Sequence, residues 1–224
     1  MTEINSPLKF SYHYICGIST LNMQHNINYP IMEHFFSIQG EGKYSGKAAY
    51  FVRVAGCDVG CVWCDVKESW DKEQHALLSI SEIIENVVKS NANFVVLTGG
   101  EPAMYDLHPL VDQLKSLGIM VAIETSGCYP LKGNVDWYCF SPKKFKAPCE
   151  EAYIKANELK VIVSHPSDLD WAKSHALKVS HECQLYLQPE WSKAEKLLPL
   201  IIDFVKSNQT WKISLQTHKF MNIP

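Results

Sequence analysis

Three cysteines crowd into one short run, Gly56-Cys57-Asp58-Val59-Gly60-Cys61-Val62-Trp63-Cys64-Asp65. Thiolates at this spacing can wrap three irons of a cubane iron–sulfur cluster and leave the fourth iron open to an external ligand. A ligand carrying an amino and a carboxylate group could chelate that iron. The competing reading is a structural zinc site. Closed zinc sites take four ligands, and His75 is the nearest candidate for the fourth.

A second segment, Thr98-Gly99-Gly100-Glu101-Pro102, follows a short apolar run. Its two glycines let backbone approach a ligand closely. With Cys57-x3-Cys61-x2-Cys64, this turn resembles the radical S-adenosylmethionine (SAM) superfamily. The resemblance implies a [4Fe-4S] cluster on Cys57, Cys61 and Cys64, with SAM chelating the open iron. One electron then splits a C–S bond of SAM and leaves a 5′-deoxyadenosyl radical. Gly99, Gly100 and Glu101 would meet the amino and carboxylate end of SAM, and Trp63 would lie near its adenine.

Further segments narrow the resemblance. Phe36-Ser37-Ile38-Gln39-Gly40-Glu41-Gly42, Arg53, Glu124-Thr125-Ser126-Gly127 and Gln216-Thr217-His218-Lys219 together look like the 7-carboxy-7-deazaguanine synthase family, from about Tyr29 to Pro224. That family contracts the ring of 6-carboxy-5,6,7,8-tetrahydropterin, releases ammonia, and supplies the deazapurine of queuosine. The radical takes a hydrogen from C6 and later returns it, so SAM is a cofactor. The resemblance places Ser126, Ser141, Pro142, Lys143 and Gln188 on the SAM side. Ile38, Gln39, Gly40, Thr98, His218 and Pro224 fall on the substrate side. Arg53 joins them, and its planar fork of donors suits a carboxylate. The resemblance also implies an electron donor such as flavodoxin or ferredoxin, and a homodimer. One departure stands out. The family follows its third cysteine with Asp-Thr and uses the threonine hydroxyl to help bind Mg²⁺. This chain has Asp65-Val66, and valine offers no oxygen to a cation that demands oxygen ligands. Two other readings stay open: a different radical SAM enzyme such as a glycyl-radical activase, and a non-enzymatic zinc-binding interaction module.

Composition sets the bounds. The 224 residues suit one large domain, and a hydrophobic fraction of 46% supports a real core. A net charge of -3 argues against nucleic acid or an anionic membrane as partner. There is no run of about 18 apolar residues to span a membrane. The first 30 residues carry only Glu3 and Lys9 as charges and lack a secretory pattern. With the clustered cysteines this points to the reducing cytoplasm. Cys16, Cys128, Cys139, Cys149 and Cys183 are scattered and read as small buried apolar residues.

The elements that must hold these residues alternate. Strands are expected at 49–54, 94–97, 120–125, 137–140, 159–163, 184–187 and 211–215. A helix opens at Ser79, where Ser79 and Glu82 form a capping box, and presents Ile83, Ile84, Val87 and Val88. A second runs from Leu107 to Leu117 and stops at Gly118. Others start near Ser167 and Ala194. Strand–helix alternation gives parallel strands with right-handed crossovers. A complete eight-fold barrel takes about 250 residues, so the expected fold is α/β, an incomplete TIM-like β/α barrel of the radical SAM type. Residues 31–224 form that domain, and 1–30 stand apart as an extension, with Met23 or Met32 as candidate original starts.

Overall fold

Phe94, Val95, Val96 and Leu97 are all fully buried, as a strand covered on both faces must be. They form the body of β4 (Phe94–Gly99) in the computed structural model, which describes residues 27–224. Val95 and Leu97 join the large core shared with the helices, whereas Phe94 and Val96 pack with Ala49 and Ala122 on the other face.

The remaining strands are β1 (Asn28–Ile38), β2 (Ala48–Val54), β3 (Ala76–Ser79), β5 (Met120–Thr125), β6 (Trp137–Phe140), β7 (Glu158–Val163), β8 (Gln184–Pro189) and β9 (Trp211–Ile213). Among the described residues they make one nine-stranded sheet in the order β3-β1-β2-β4-β5-β6-β7-β8-β9. Every pairing from β2 through β9 is parallel. The two ends of the sheet do not meet, which makes the expected incomplete barrel.

Helices α1 (Ile80–Lys89), α2 (His108–Ser116), α3 (Glu150–Lys155), α4 (Asp168–Ala176) and α5 (Ala194–Ser207) follow β3, β4, β6, β7 and β8, and α6 (Thr217–Met221) follows β9. The capping box of α1 forms as expected, with Ser79 N–H donating to Glu82 Oε2 at 2.8 Å. Its buried stripe is Ile80, Ile83 and Val87, while Val88 is half exposed, one step too far around the helix. None of these helices is long and apolar enough to cross a membrane.

The sequence pattern did not reveal β1, β3, α3 or α6. Strand β1 runs antiparallel to both β2 and β3 and includes Tyr29, which is buried and donates its hydroxyl to the Asp106 carbonyl at 2.6 Å. The sheet therefore takes in residues 28–30, which the pattern left with the extension. Met32 lies within β1, and Met23 and Cys16 fall outside the described residues. Cys139 and Cys183 are buried as expected, but Cys128 and Cys149 are only half-buried.

The inside of the half-barrel is graded. Ala49, Phe94, Val96 and Ala122, with Tyr44 and Trp137 against them, fill the end where the parallel strands begin. Beyond this plug the inward residues turn polar: Glu124 on β5, Lys160 on β7 and Gln188 on β8. Chemistry in such folds sits at the C-terminal ends of the strands.

Candidate active site

A cavity of about 720 Å³ opens at that end. Cys57, Cys61 and Cys64 line it, on the loop between β2 and β3. The root of the loop is laced to the glycine turn. Gly100 N–H donates to the Val54 carbonyl at 2.7 Å, and Glu101 N–H to the Gly56 carbonyl at 2.9 Å. A β-carbon on Gly100 would collide with the Gly56 carbonyl, so only glycine lets the two segments lie this close.

Glu101 is 1% exposed. Its carboxylate accepts from Ala103 N–H at 3.0 Å, Thr125 Oγ1 at 2.5 Å, Ser126 N–H at 2.8 Å and the Ser126 hydroxyl. One carboxylate thus ties the end of β4 to the end of β5. Ser141 accepts from Lys143 Nζ at 2.6 Å, and that ammonium lies 5.5 Å from the centre of the Trp63 ring. Burial lowers the pKa of Lys143.

The donor chemistry fits a cluster. Burial pushes the Cys57 thiol up to about 11 and raises Cys61 as well. Thiolates here are costly unless iron neutralises them. A closed zinc site fits poorly. Thiolates on one tetrahedral zinc stand about 3.8 Å apart, and among the described residues no three His, Cys, Asp or Glu side chains converge enough to hold one metal ion. His75 Nε2 instead meets the Glu68 carbonyl at 2.8 Å. A cubane spreads three thiolates over three irons.

The deeper wall is a buried ionic network. Lys160 is 2% exposed. It is paired with Glu41, and with Glu124 at 3.1 Å. Gln39 Nε2 donates to Glu124 at 2.9 Å, and Gln216 Nε2 donates to Glu41 at 2.8 Å. Burial pushes the Glu41 pKa up, but the Lys160 ammonium outweighs it and holds the carboxyl at about 2. Burial opposes the Lys160 charge, yet Glu124 and Glu41 keep its pKa well above the usual lysine value. Burial lowers the pKa of His218, so its ring is neutral at neutral pH.

Arg53 lies on β2 opposite Glu33 of β1 and beside Thr98 of β4. Its Nη1 pairs with Glu33 at 2.9 Å, but its buried Nε has no hydrogen-bond partner. An unpaired buried donor is costly, and Arg53 is among the residues lining the cavity.

Every residue expected at the site lines this one cavity except Pro142, which is buried beside Lys143. Ile38, Gln39, Gly40, Thr98, Pro224, Asp65 and Val66 all take part. Glu33, Phe35, Glu41, Phe51, Lys160, Trp191, Gln216 and Lys219 join them unforeseen. Lys160 carried a signal, as a charge inside the otherwise apolar run from Leu159 to Val163. Glu33 and Phe35 carried none, because β1 itself was not legible. A second cavity of about 740 Å³ lies by α3 and α4, lined by Lys144, Tyr153, Trp171 and His175, and holds neither the cysteine loop nor the glycine turn.

A half-barrel with three loop cysteines facing a Gly-Gly-Glu turn is the arrangement of a radical SAM enzyme, and residues 51–147 match the family model for the Radical SAM superfamily. Relatives narrow the class. The 7-carboxy-7-deazaguanine synthase of Flavobacterium psychrophilum is 51% identical over 87% of this chain and 92% of its own length. That of Synechocystis sp. is 46% identical over 88% and 94%. The crystal structure of QueE from Escherichia coli superposes with a TM-score of 0.77 at 30% identity, covering 84% of this chain and 93% of that one. The chain belongs to the 7-carboxy-7-deazaguanine synthase family. Membership sets aside the activase and zinc-module readings.

Proposed function

We propose that this chain converts 6-carboxy-5,6,7,8-tetrahydropterin to 7-carboxy-7-deazaguanine with release of ammonia. The observation that carries the assignment is Arg53, which lines the cavity that also holds the three cysteines and whose buried Nε has no partner. A carboxylate on the substrate would satisfy that donor, and a guanidinium fork holds a carboxylate in a fixed plane.

When bound, the cluster and SAM supply a carbon-centred radical able to take a hydrogen from the substrate. The protein's share is placement. Arg53 anchors the carboxylate. Gln39 and the Glu41–Lys160–Glu124 network offer acceptors to the amino and ring N–H groups of the pyrimidine edge. Phe35 and Phe51, stacked with ring centres 5.3 Å apart, form an apolar wall that keeps the reacting face from water. Ser126, Ser141, Lys143 and Gln188 stand on the SAM side. His218 is positioned as a neutral hydrogen-bonding partner of the substrate.

A flavodoxin- or ferredoxin-type donor delivers the electron. The enzyme works as a homodimer in the cytoplasm, and the residues before β1 are an extension to the catalytic domain. The assignment is tested by reconstituting the protein anaerobically with iron and sulfide. Reduction with SAM and the carboxytetrahydropterin should give 7-carboxy-7-deazaguanine by mass spectrometry. SAM cleavage to 5′-deoxyadenosine without any deazapurine would contradict the substrate.

A further inference from the structure

The residues after the third cysteine do not fit a magnesium site. The Val66 side chain has no ligand atom, and its carbonyl already accepts from the Ser69 amide and hydroxyl. The Asp65 carboxylate is already paired with Lys219 Nζ at 3.0 Å. That ammonium also sits 5.1 Å from the centre of the Trp191 ring, and Trp191 packs edge-on against Phe220 with ring centres 5.3 Å apart. The Lys219 side chain is only 23% exposed, against 58% for Asp65. A carboxylate on one side and an indole face on the other thus hold the ammonium in place. A divalent ion taking up Asp65 would have to sit against this positive charge. Mg²⁺ demands near-octahedral oxygen coordination, to which the Val66 side chain can contribute nothing.

We propose that Lys219 is a substrate-binding residue whose ammonium, held between Asp65 and Trp191, brings to the pterin the positive charge that a divalent ion would otherwise bring. Turnover in this chain then needs no Mg²⁺. The inference rests on the pterin assignment above and adds to it the identity of the cation. Asp65, Lys219 and Arg53 line one cavity. Arg53 on β2 and Lys219 on α6 therefore both line the cavity assigned to the carboxylate-bearing substrate, and Asp65 serves to position the second.

The test uses the reconstituted holoenzyme after exhaustive chelation, with Mg²⁺ added back, and reads both turnover and metal binding. The wild-type kcat/KM should stay within about twofold across the titration. Lys219→Met should lower kcat/KM by about ten- to a hundredfold, the weight of a lost charged hydrogen bond, with cluster absorbance unchanged and no rescue by Mg²⁺. Pairing Lys219→Met with Val66→Thr should recover rate in Mg²⁺. Mn²⁺, a paramagnetic stand-in, should show bound-ion electron paramagnetic resonance with substrate only in that double variant. A wild-type rate that collapses on chelation and returns with Mg²⁺, or wild type that retains Mn²⁺ beside substrate, would overturn the proposal. So would a Lys219→Met enzyme with the wild-type rate. Wild type that makes no deazapurine at any Mg²⁺ concentration would instead overturn the substrate assignment on which the inference stands, and the Mn²⁺ spectra separate the two failures.

Discussion

The carbonyl of Gly40 accepts two hydrogen bonds from Thr217, one from its amide and one from its hydroxyl, each at 3.0 Å. This contact joins the loop after β1 to the start of α6, across nearly the whole length of the chain. It seats His218 against the Gly40 backbone, and a β-carbon on Gly40 would strike the His218 ring. Gly40→Ala should therefore push His218 out of the cavity. The expected result is a rise in KM for the pterin of about tenfold. SAM cleavage without substrate should be unchanged. An unaltered KM would separate His218 from substrate binding.

Arg53→Lys keeps the charge and removes the fork. Lysine cannot present two parallel donors to a carboxylate. Steady-state kinetics should show kcat/KM for the pterin lower by about ten- to a hundredfold, with iron and sulfide content unchanged. Wild-type kinetics in this variant would show that the Nε donor does not serve the substrate.

Lys160→Met leaves the partly buried Glu41 and Glu124 without their shared, buried cation. Removing one partner from a buried ion pair costs about 3–5 kcal/mol. Chemical denaturation should show that loss at neutral pH. A stability equal to wild type would mean that water reaches the network.

Acid sensitivity should reside partly in His175. Its Nδ1 lies 2.9 Å from the Tyr153 hydroxyl, its ring stacks on Tyr153, and Trp171 meets it edge-on. Burial lowers its pKa from 6.5 to about 4. The unfolded chain thus binds this proton more readily than the folded one. The stabilising contribution is complete above pH 6.5 and is lost as the pH falls from there toward 4. Glu41, lowered from 4.5 to about 2, adds a loss of the same sign below that window. His175→Gln should flatten the dependence of the urea midpoint on pH between about 6.5 and 4. An unchanged slope would assign the acid sensitivity elsewhere.

The parallel half of the fold was legible because its strands are buried on both faces. Phe94-Val95-Val96-Leu97 and Met120-Val121-Ala122-Ile123 read as unbroken apolar runs, and the Ser79–Glu82 box marks α1. Strand β1 was not legible. Pro30 sits near its start, the pairing shifts between Ile31 and Glu33, and its inward and outward residues do not alternate cleanly. Helix α6 spans only five residues, too short to show a period. The cysteine loop could be found from residue type and spacing, and the glycine turn and Arg53 from the family resemblance that the loop opens. The Glu41–Lys160–Glu124 network could not, because its members come from separate elements that only the curvature of the open sheet brings together. The Lys219–Asp65 pair joins residues 154 apart in sequence.

One measurement tests the central claim most directly. The reduced holoenzyme would be given SAM and carboxytetrahydropterin carrying deuterium at C6, with products and recovered SAM read by mass spectrometry. Abstraction and return of one hydrogen predicts 7-carboxy-7-deazaguanine over many turnovers per SAM, with deuterium washed into the SAM pool. Failure to form the deazapurine, with 5′-deoxyadenosine accumulating and SAM free of deuterium, would contradict the assignment of this cavity to pterin ring contraction.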